Sequence, residues 1–518
     1  MVKKFSYDDT TIVHTTAGKI HGYSFDGVDI FKGIPYAKAK RFQAPEEMER
    51  WEGIRETTSY GFVCPLLEQD VPGGELFVPH RYWPMDENCQ NLNIWTKKTG
   101  TKEKKPVLVW LHGGGFVAGS SIEQESYDGF NLCKKGDVVV VSVNHRLNIL
   151  GYFDVSPFGE KYKNSANAGH ADIVAALKWV HQNIEGFGGD PENVTVFGQS
   201  GGGMKASALL NIPEAEGLFH KVFIMSGASD GTLPTSQKGN GTAIVRAVLA
   251  ELGISEDEVE KLESVPYRDF ASAYNKVAPK LEEEGEYVGC KPMAGEFWSG
   301  EALEGLSEYG RGIPLVVGST YAEFAGFERN TFDPYGLSDE EIEEIYRKNF
   351  GENAKKLLKV FCETYPNHHP LNLLVIDRLF REPSKKLALQ HAKYGKAKSY
   401  LYVFALDFPY HYINPAWHCS DIPFFMGNVE KVESANIPGV SERLEQQMLG
   451  ALVRFAYTGS PSTEELLWPP CKHGDAVTMV FDEKSEAKSC FDDELLELFK
   501  KSAKPLTLKE IMDGDIQH

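Results

Sequence analysis

The sequence predicts an α/β protein with a mostly parallel central sheet, and two observations carry that expectation. Short β-rich runs, Val107 to Leu111, Val138 to Val143, Val194 to Phe197, Val222 to Met225, Leu315 to Val317 and Tyr400 to Ala405, alternate with helical patterns. Between the second and third runs Ile173, Val174, Leu177, Val180 and Ile184 recur at three- and four-residue steps, the spacing of a helix that buries one face. Strand, amphipathic helix and strand in that order make one βαβ unit, and the unit leads directly to Ser200.

Residues 241–308 and 338–393 read as helical and free of strands. Each contains a serine followed three residues later by a glutamate, Ser255 with Glu258 and Ser338 with Glu341, the spacing of a capping box at a helix start. No internal repeat, Ser/Gly linker or low-complexity tract marks a boundary. The expectation is therefore one α/β domain over residues 1–518, with the two helical segments as insertions that roof the sheet. Large sheets with such insertions run well past the usual domain length.

With 42% hydrophobic and 25% charged residues the chain has a globular composition and enough apolar side chains for a sizeable core. Its 74 acidic against 54 basic residues leave a formal charge of −20, a field that repels phosphate backbones and anionic headgroups. Nucleic acid and membrane surfaces are thus excluded as expected partners. The acidic run Glu282, Glu283, Glu284 reads as a solvated helix face, and no metal site is expected of it. Met1 to Asp9 lacks an apolar core of the kind a secretion signal needs, and no apolar run reaches the ~20 residues of a spanning helix. A cytoplasmic location is expected. Eight cysteines, without a Cys-x-x-Cys pair, fit buried thiols better than zinc.

The strand ending Val194-Thr195-Val196-Phe197 runs into Gly198-Gln199-Ser200-Gly201-Gly202, and Met204 to Leu210 then reads as a helix. A serine between glycines at such a strand-to-helix turn is a nucleophile elbow, where small neighbours let the strained backbone lift the hydroxyl clear of the sheet. A second element, His112-Gly113-Gly114-Gly115-Phe116, follows the strand Val107 to Leu111. Beside an elbow, such a loop supplies backbone N–H groups to an oxyanion, here those of Gly114 and Gly115 together with that of Gly201. Strand order, elbow and loop together predict an α/β-hydrolase fold.

In the same order along the chain stand Gly18-Lys19-Ile20-His21-Gly22, Phe31-Lys32-Gly33-Ile34-Pro35-Tyr36-Ala37, Arg41-Phe42, Leu92-Asn93-Ile94-Trp95 and Phe187-Gly188-Gly189-Asp190-Pro191. Through these the chain resembles the type-B carboxylesterase family, which includes the cholinesterases and bacterial esterases. The resemblance implies the two remaining members of a triad. Its acid is a glutamate shortly after a Pro-x-x-x-Gly strand end, which matches Glu323 after Pro314 and Gly318. Its base is a histidine followed three residues on by an acid, which matches His418 with Asp421. His112 and His411 lack that context. The order Ser, Glu, His is that of α/β-hydrolases.

Some positions depart from the family's pattern. Many relatives carry glutamate and alanine around the nucleophile where this chain has Gln199 and Gly201, so a carboxylate is lost close to the leaving group. Ser226 and Asp421 match positions that support the histidine from behind. Cys64 and Cys89 fall where relatives close a loop with a disulfide, whereas a reducing cytoplasm favours free thiols, and the sequence leaves both states open. Tyr82 and Trp83 in that loop are candidates for the rim of the access path.

The resulting expectation is a serine carboxylesterase that hydrolyses small-molecule carboxylic esters through an acyl-enzyme, with Ser200, His418 and Glu323 as triad and no cofactor. A cholinesterase-like binding module without catalysis, and an amidase or carbohydrate-ester hydrolase on the same site, are the alternatives. Neither the natural ester nor the oligomeric state is legible.

Overall fold

The computed structural model describes residues 4–67, 81–228, 239–325, 336–409 and 415–503. Among them the main sheet has 12 strands. In chain order these are β1 (Phe5–Ser6), β2 (Tyr23–Phe25), β3 (Val28–Pro35), β4 (Asn91–Thr96), β5 (Lys105–Leu111) and β6 (Val139–Val143). They continue as β7 (Gly189–Gln199), β8 (Lys221–Met225), β9 (Leu315–Thr320), β10 (Ser399–Phe404), β11 (Thr478–Phe481) and β12 (Glu486–Lys488). Their spatial order is β1-β2-β3-β4-β6-β5-β7-β8-β9-β10-β11-β12.

From β6 to β11 every pairing is parallel, while β1 to β4 and β12 add antiparallel edges. All six β-rich runs expected from the sequence lie in the parallel part. They read as unbroken apolar runs because both faces are covered. In β5, Val107, Val109 and Leu111 join one core with Ile173, Val174, Leu177 and Val180 of α1 (Ala168–Asn183). Leu108 and Trp110 face the opposite core, with Phe425, Leu452 and Phe455. Full burial of one such side chain is worth roughly 1.5–3 kcal/mol.

Strand order also explains where a site forms. The chain leaves β5 toward β6 on one side, crosses back to β7, and continues the other way to β8. Between β5 and β7 the winding reverses, and at such a switch point the loops beyond the strand C-termini part to leave a crevice. The glycine loop follows β5 and Ser200 follows β7.

The two strand-free segments carry α3 (Thr242–Leu252), α4 (Tyr267–Glu283), α5 (Asp339–Phe350), α6 (Ala354–Thr364) and α7 (Arg381–Tyr394). At α5 the expected capping box forms, Ser338 and Glu341 each accepting from the other's backbone. Ser255 does not cap in this way: its hydroxyl bonds the Glu258 carboxylate at 3.1 Å, and the helix it precedes is a 3-10 helix. α3 and α4 share a core with Phe42, Phe153 and Tyr162. Beside it Arg41 spans from Glu87 (2.6 Å) to the carbonyls of Leu262 and Val265 (2.9 and 2.6 Å). Deeper in the body, Arg146 is fully buried on Asp172 of α1, with bonds of 2.8 and 2.7 Å. No helix of the described residues is long and apolar enough to cross a membrane.

Candidate active site

Ser200 follows β7 and precedes α2 (Gly201–Leu209), with φ +56° and ψ −127°. Such a conformation costs a non-glycine residue about 1–3 kcal/mol and persists only when its surroundings fix it. They do: the Ser200 N–H donates to Met225 O at 2.9 Å, and Ser200 O accepts from Met204 N at 2.9 Å. The flanking glycines make room for the turn. A Cβ on Gly202 would stand 2.0 Å from Leu111 O, and one on Gly201 would stand 2.2 Å from Gly115 O. The glycine loop therefore lies directly against the elbow. Within it Gly114 has φ +82°, where any Cβ would meet Ala118 O at 2.3 Å.

Glu323 follows β9 and is fully buried, and His418 follows β10 and keeps a small exposed edge. Glu323 Oε2 lies 2.5 Å from His418 Nδ1. Its other oxygen accepts the Thr320 N–H at 2.8 Å and the Ser226 hydroxyl at 2.6 Å. The loop is also stitched through the backbone, His418 N–H donating to Glu323 O at 2.7 Å. Three donors hold the carboxylate in one position, and that position fixes the ring. Phe324 and Phe380 lie nearly parallel to the imidazole, with centroids 5.9 and 5.6 Å away.

Burial alone pulls the His418 pKa down, but the charge and hydrogen bond of Glu323, with Asp421 and Asp377 further off, outweigh it and leave the histidine above its usual 6.5. Asp421 is pushed up to about 7 by burial and by Glu323. It accepts from the Tyr402 hydroxyl at 2.8 Å, while its Oδ1 has no partner among the described residues. So Ser226 supports Glu323 directly, whereas Asp421 is held by Tyr402 and acts on the histidine by charge.

Gln199 is fully buried, its amide nitrogen 3.3 Å from both His418 ring nitrogens and its oxygen 3.2 Å from the Cys419 thiol. Position 199 thus faces the histidine ring. Among the described residues no hydrogen bond joins Ser200 Oγ to His418. Cys64 and Cys89 are free buried thiols, with the Leu147 N–H on Cys64 Sγ at 3.2 Å. Tyr82 is exposed, and Trp83 packs edge-on against Tyr60. His411 lies outside the described residues.

Sequence reasoning missed Thr320, Phe324, Phe380, Tyr402 and Asp377. None sits in a motif, and Thr320 contributes only its backbone, so no side-chain pattern could have pointed to it. A cavity of about 540 Å³ between α1 and residues 44–50 contains none of the residues around Ser200.

The model of the Carboxylesterase family matches residues 9–497. The chain belongs to that family. This carboxylesterase is 35% identical to the para-nitrobenzyl esterase of Bacillus subtilis, over 91% of this chain and 94% of that protein. It is 30% identical to the phenmedipham hydrolase of Pseudarthrobacter oxydans, over 92% and 96% of the two chains. A solved esterase from the anaerobe Clostridium hathewayi, described as able to hydrolyse aliphatic aromatic polyesters, superposes with a TM-score of 0.94 at 51% identity, over 97% of this chain and 100% of that one. The fold is the α/β-hydrolase fold of these esterases, and the protein is a carboxylic ester hydrolase.

Proposed function

We propose that this carboxylesterase cleaves carboxylic esters through an acyl-enzyme on Ser200, with His418 as general base and acid and Glu323 as the carboxylate that orients it. The observation that carries the reading is the 2.5 Å contact of Glu323 with His418 Nδ1 beside a serine held at φ +56°.

With the Nδ1 proton directed at Glu323, the lone pair of the neutral ring is on Nε2. That lone pair accepts from the Ser200 hydroxyl once substrate is bound; hydrogen bonds of this kind are commonly loose until substrate is present. As Ser200 Oγ bonds to the carbonyl carbon its proton passes to Nε2, and Glu323 stabilises the imidazolium. Negative charge builds on the former carbonyl oxygen, facing the N–H groups of Gly114, Gly115 and Gly201, donors that need no reorganisation. Collapse returns the proton to the departing alcohol. Water, deprotonated by the same nitrogen, then releases the acid and frees Ser200. No cofactor enters this cycle.

The relatives' activities make aromatic esters the first substrates to try: para-nitrobenzyl esters and short aliphatic aromatic oligoesters. The decisive experiment is labelling with a fluorophosphonate followed by peptide mapping. Stoichiometric label on Ser200, lost together with hydrolysis in Ser200→Ala, is expected. Replacing Glu323 by Gln should lower kcat by about 10⁴-fold, as loss of the orienting carboxylate does in other triads. Label on another serine, or a Glu323→Gln enzyme within tenfold of the parent, refutes the assignment.

A further inference from the structure

Directly behind the glycine loop lies a group that the catalytic cycle does not use. Lys205, on the first turns of α2, is 0% exposed. Among the described residues it has no ion-pair partner, and its Nζ donates to His112 O at 3.2 Å. Burial pulls its pKa down to about 7, against the opposing charge of Glu123. The imidazoles of His112, His145 and His170 share this interior, each kept neutral by burial and by the neighbouring lysine. Burying an amine that has no ion-pair partner is costly. The fold bears that cost against the loop.

What the lysine holds is the start of a chain of clamped peptides. A trans peptide is planar, with its C=O and the following N–H on opposite sides, and no cis bond is present in the described chain. His112 O is held by Lys205. Gly113 O lies 2.9 Å from His112 Nδ1, which must carry the proton there. Gly114 O accepts from the N–H groups of Val117 (3.2 Å) and Ala118 (3.0 Å). Further along, Asn148 holds Phe116 O with its backbone N–H at 2.7 Å and Val117 O with its side chain at 3.1 Å. Each held carbonyl fixes the N–H of its own peptide on the opposite side: His112 O that of Gly113, Gly113 O that of Gly114, and Gly114 O that of Gly115. The last two are the proposed oxyanion donors, and Lys205 anchors the peptide from which they run. The first of the clamps comes from a side chain outside the loop, on the helix that the nucleophile itself begins.

We propose that Lys205 is a positioning residue for the oxyanion loop: its Nζ, anchored in the same helix as Ser200, holds the His112 carbonyl and so keeps the glycine N–H groups in register with the nucleophile. This rests on the acyl-enzyme reading above. It adds that the accuracy of the oxyanion hole is set from beneath by a buried amine that the fold would be more stable without.

The test replaces Lys205 by Met, which keeps the unbranched chain and removes the donor, and by Gln, which keeps a neutral N–H donor. Both are assayed on a para-nitrobenzyl ester. Because the loop acts in the transition state, Lys205→Met should lower kcat by about 10- to 100-fold, a range like that of losing part of one oxyanion donor, with KM within about threefold. Its thermal midpoint should stay level or rise, since an isosteric apolar chain relieves a buried charge. Lys205→Gln should recover a measurable part of kcat. A residue that merely fills the core would do the reverse, losing stability first and activity with it. The proposal is overturned if Lys205→Met keeps kcat within twofold, if KM alone changes, if Gln is no better than Met, or if neither variant folds. Fluorophosphonate labelling separates the two readings: absence of label on Ser200 in the parent enzyme removes the acyl-enzyme itself. Full label on the parent with an unimpaired Lys205→Met removes only the role of the lysine.

Discussion

Replacing Gln199 by Glu places a carboxylate where the amide now meets His418, and the effect can be worked from the geometry. The amide nitrogen is 3.3 Å from both ring nitrogens. Opposite unit charges at that distance and an effective dielectric near 20 attract by about 5 kcal/mol, before the cost of burying the new carboxylate. A rise of one pKa unit in the imidazole needs only about 1.4 kcal/mol of this to survive. His418 already sits above its usual value because Glu323 outweighs burial, so the variant moves it further in the same direction. The base must be neutral to accept the serine proton, so kcat/KM falls as pH drops through that pKa. The acid limb should therefore move up by about one unit or more, with a loss of about five- to tenfold at pH 7 that disappears by pH 10. The assay is kcat/KM for para-nitrophenyl acetate from pH 5 to 10, corrected for spontaneous hydrolysis. A limb displaced by less than 0.3 units, or a loss that persists at high pH, would refute the placement of Gln199 against the ring.

Two further outcomes concern stability. Asp172→Asn leaves the Arg146 guanidinium buried without its carboxylate and should lower the unfolding free energy by about 3–5 kcal/mol in urea titrations; a loss under 1 kcal/mol would mean that the backbone carbonyls around Arg146 suffice. His368 lies 2.9 Å from Asp407 and 3.1 Å from Asp482, and despite burial these carboxylates raise it to about 9. A raised histidine stabilises fully below its unfolded value near 6.5 and loses that contribution as pH climbs through about 9. The thermal midpoint should fall between those limits, and His368→Gln should flatten that decline; an equally steep decline in the variant would assign it to other groups.

The sheet was legible because buried parallel strands announce themselves as apolar runs, and Val107 to Leu111 or Val222 to Met225 have no competing helical reading once turn residues bound them. Ser200 and the glycine loop were legible for a different reason, since local steric need dictates glycine where Leu111 O and Gly115 O approach within 2.2 Å of a built Cβ. Glu323 and His418 carry no such local signature and came only from resemblance to relatives. Each follows a different strand, and nothing in the 94 residues between them encodes their meeting. Position 199 shows the limit of that resemblance. Comparison with relatives pointed to charge near the departing alcohol and said nothing of the contact between Gln199 and His418, which only the folded chain brings together. Lys205 was passed over because a lysine in a helix ordinarily faces water. Its burial follows from the small residues on either side of it, Gly201 to Gly203 and Ala206 to Ala208, which let α2 sit close to the end of β5 and leave its inner face no solvent.

Three of the nine non-glycine residues with positive φ among the described residues gather around the crevice. Ser200, Ser226 and Cys419 have φ of +56°, +46° and +74°, all on loops at the C-terminal edge of the sheet around the crevice. Asp421 Oδ1 and the Lys205 ammonium, each short of a partner that burial demands, belong to the same region. Three strained residues cost about 3–9 kcal/mol together, a sum that a handful of fully buried core side chains at roughly 1.5–3 kcal/mol each offsets. The parallel strands beneath supply many more than a handful. It follows that stability and catalysis draw on separate parts of this chain: substitutions in the strands should change folding and leave kcat alone, whereas relief of strain or charge at the crevice should raise the thermal midpoint while lowering kcat. Lys205→Met is the sharpest case, because it alters no residue that touches the ester.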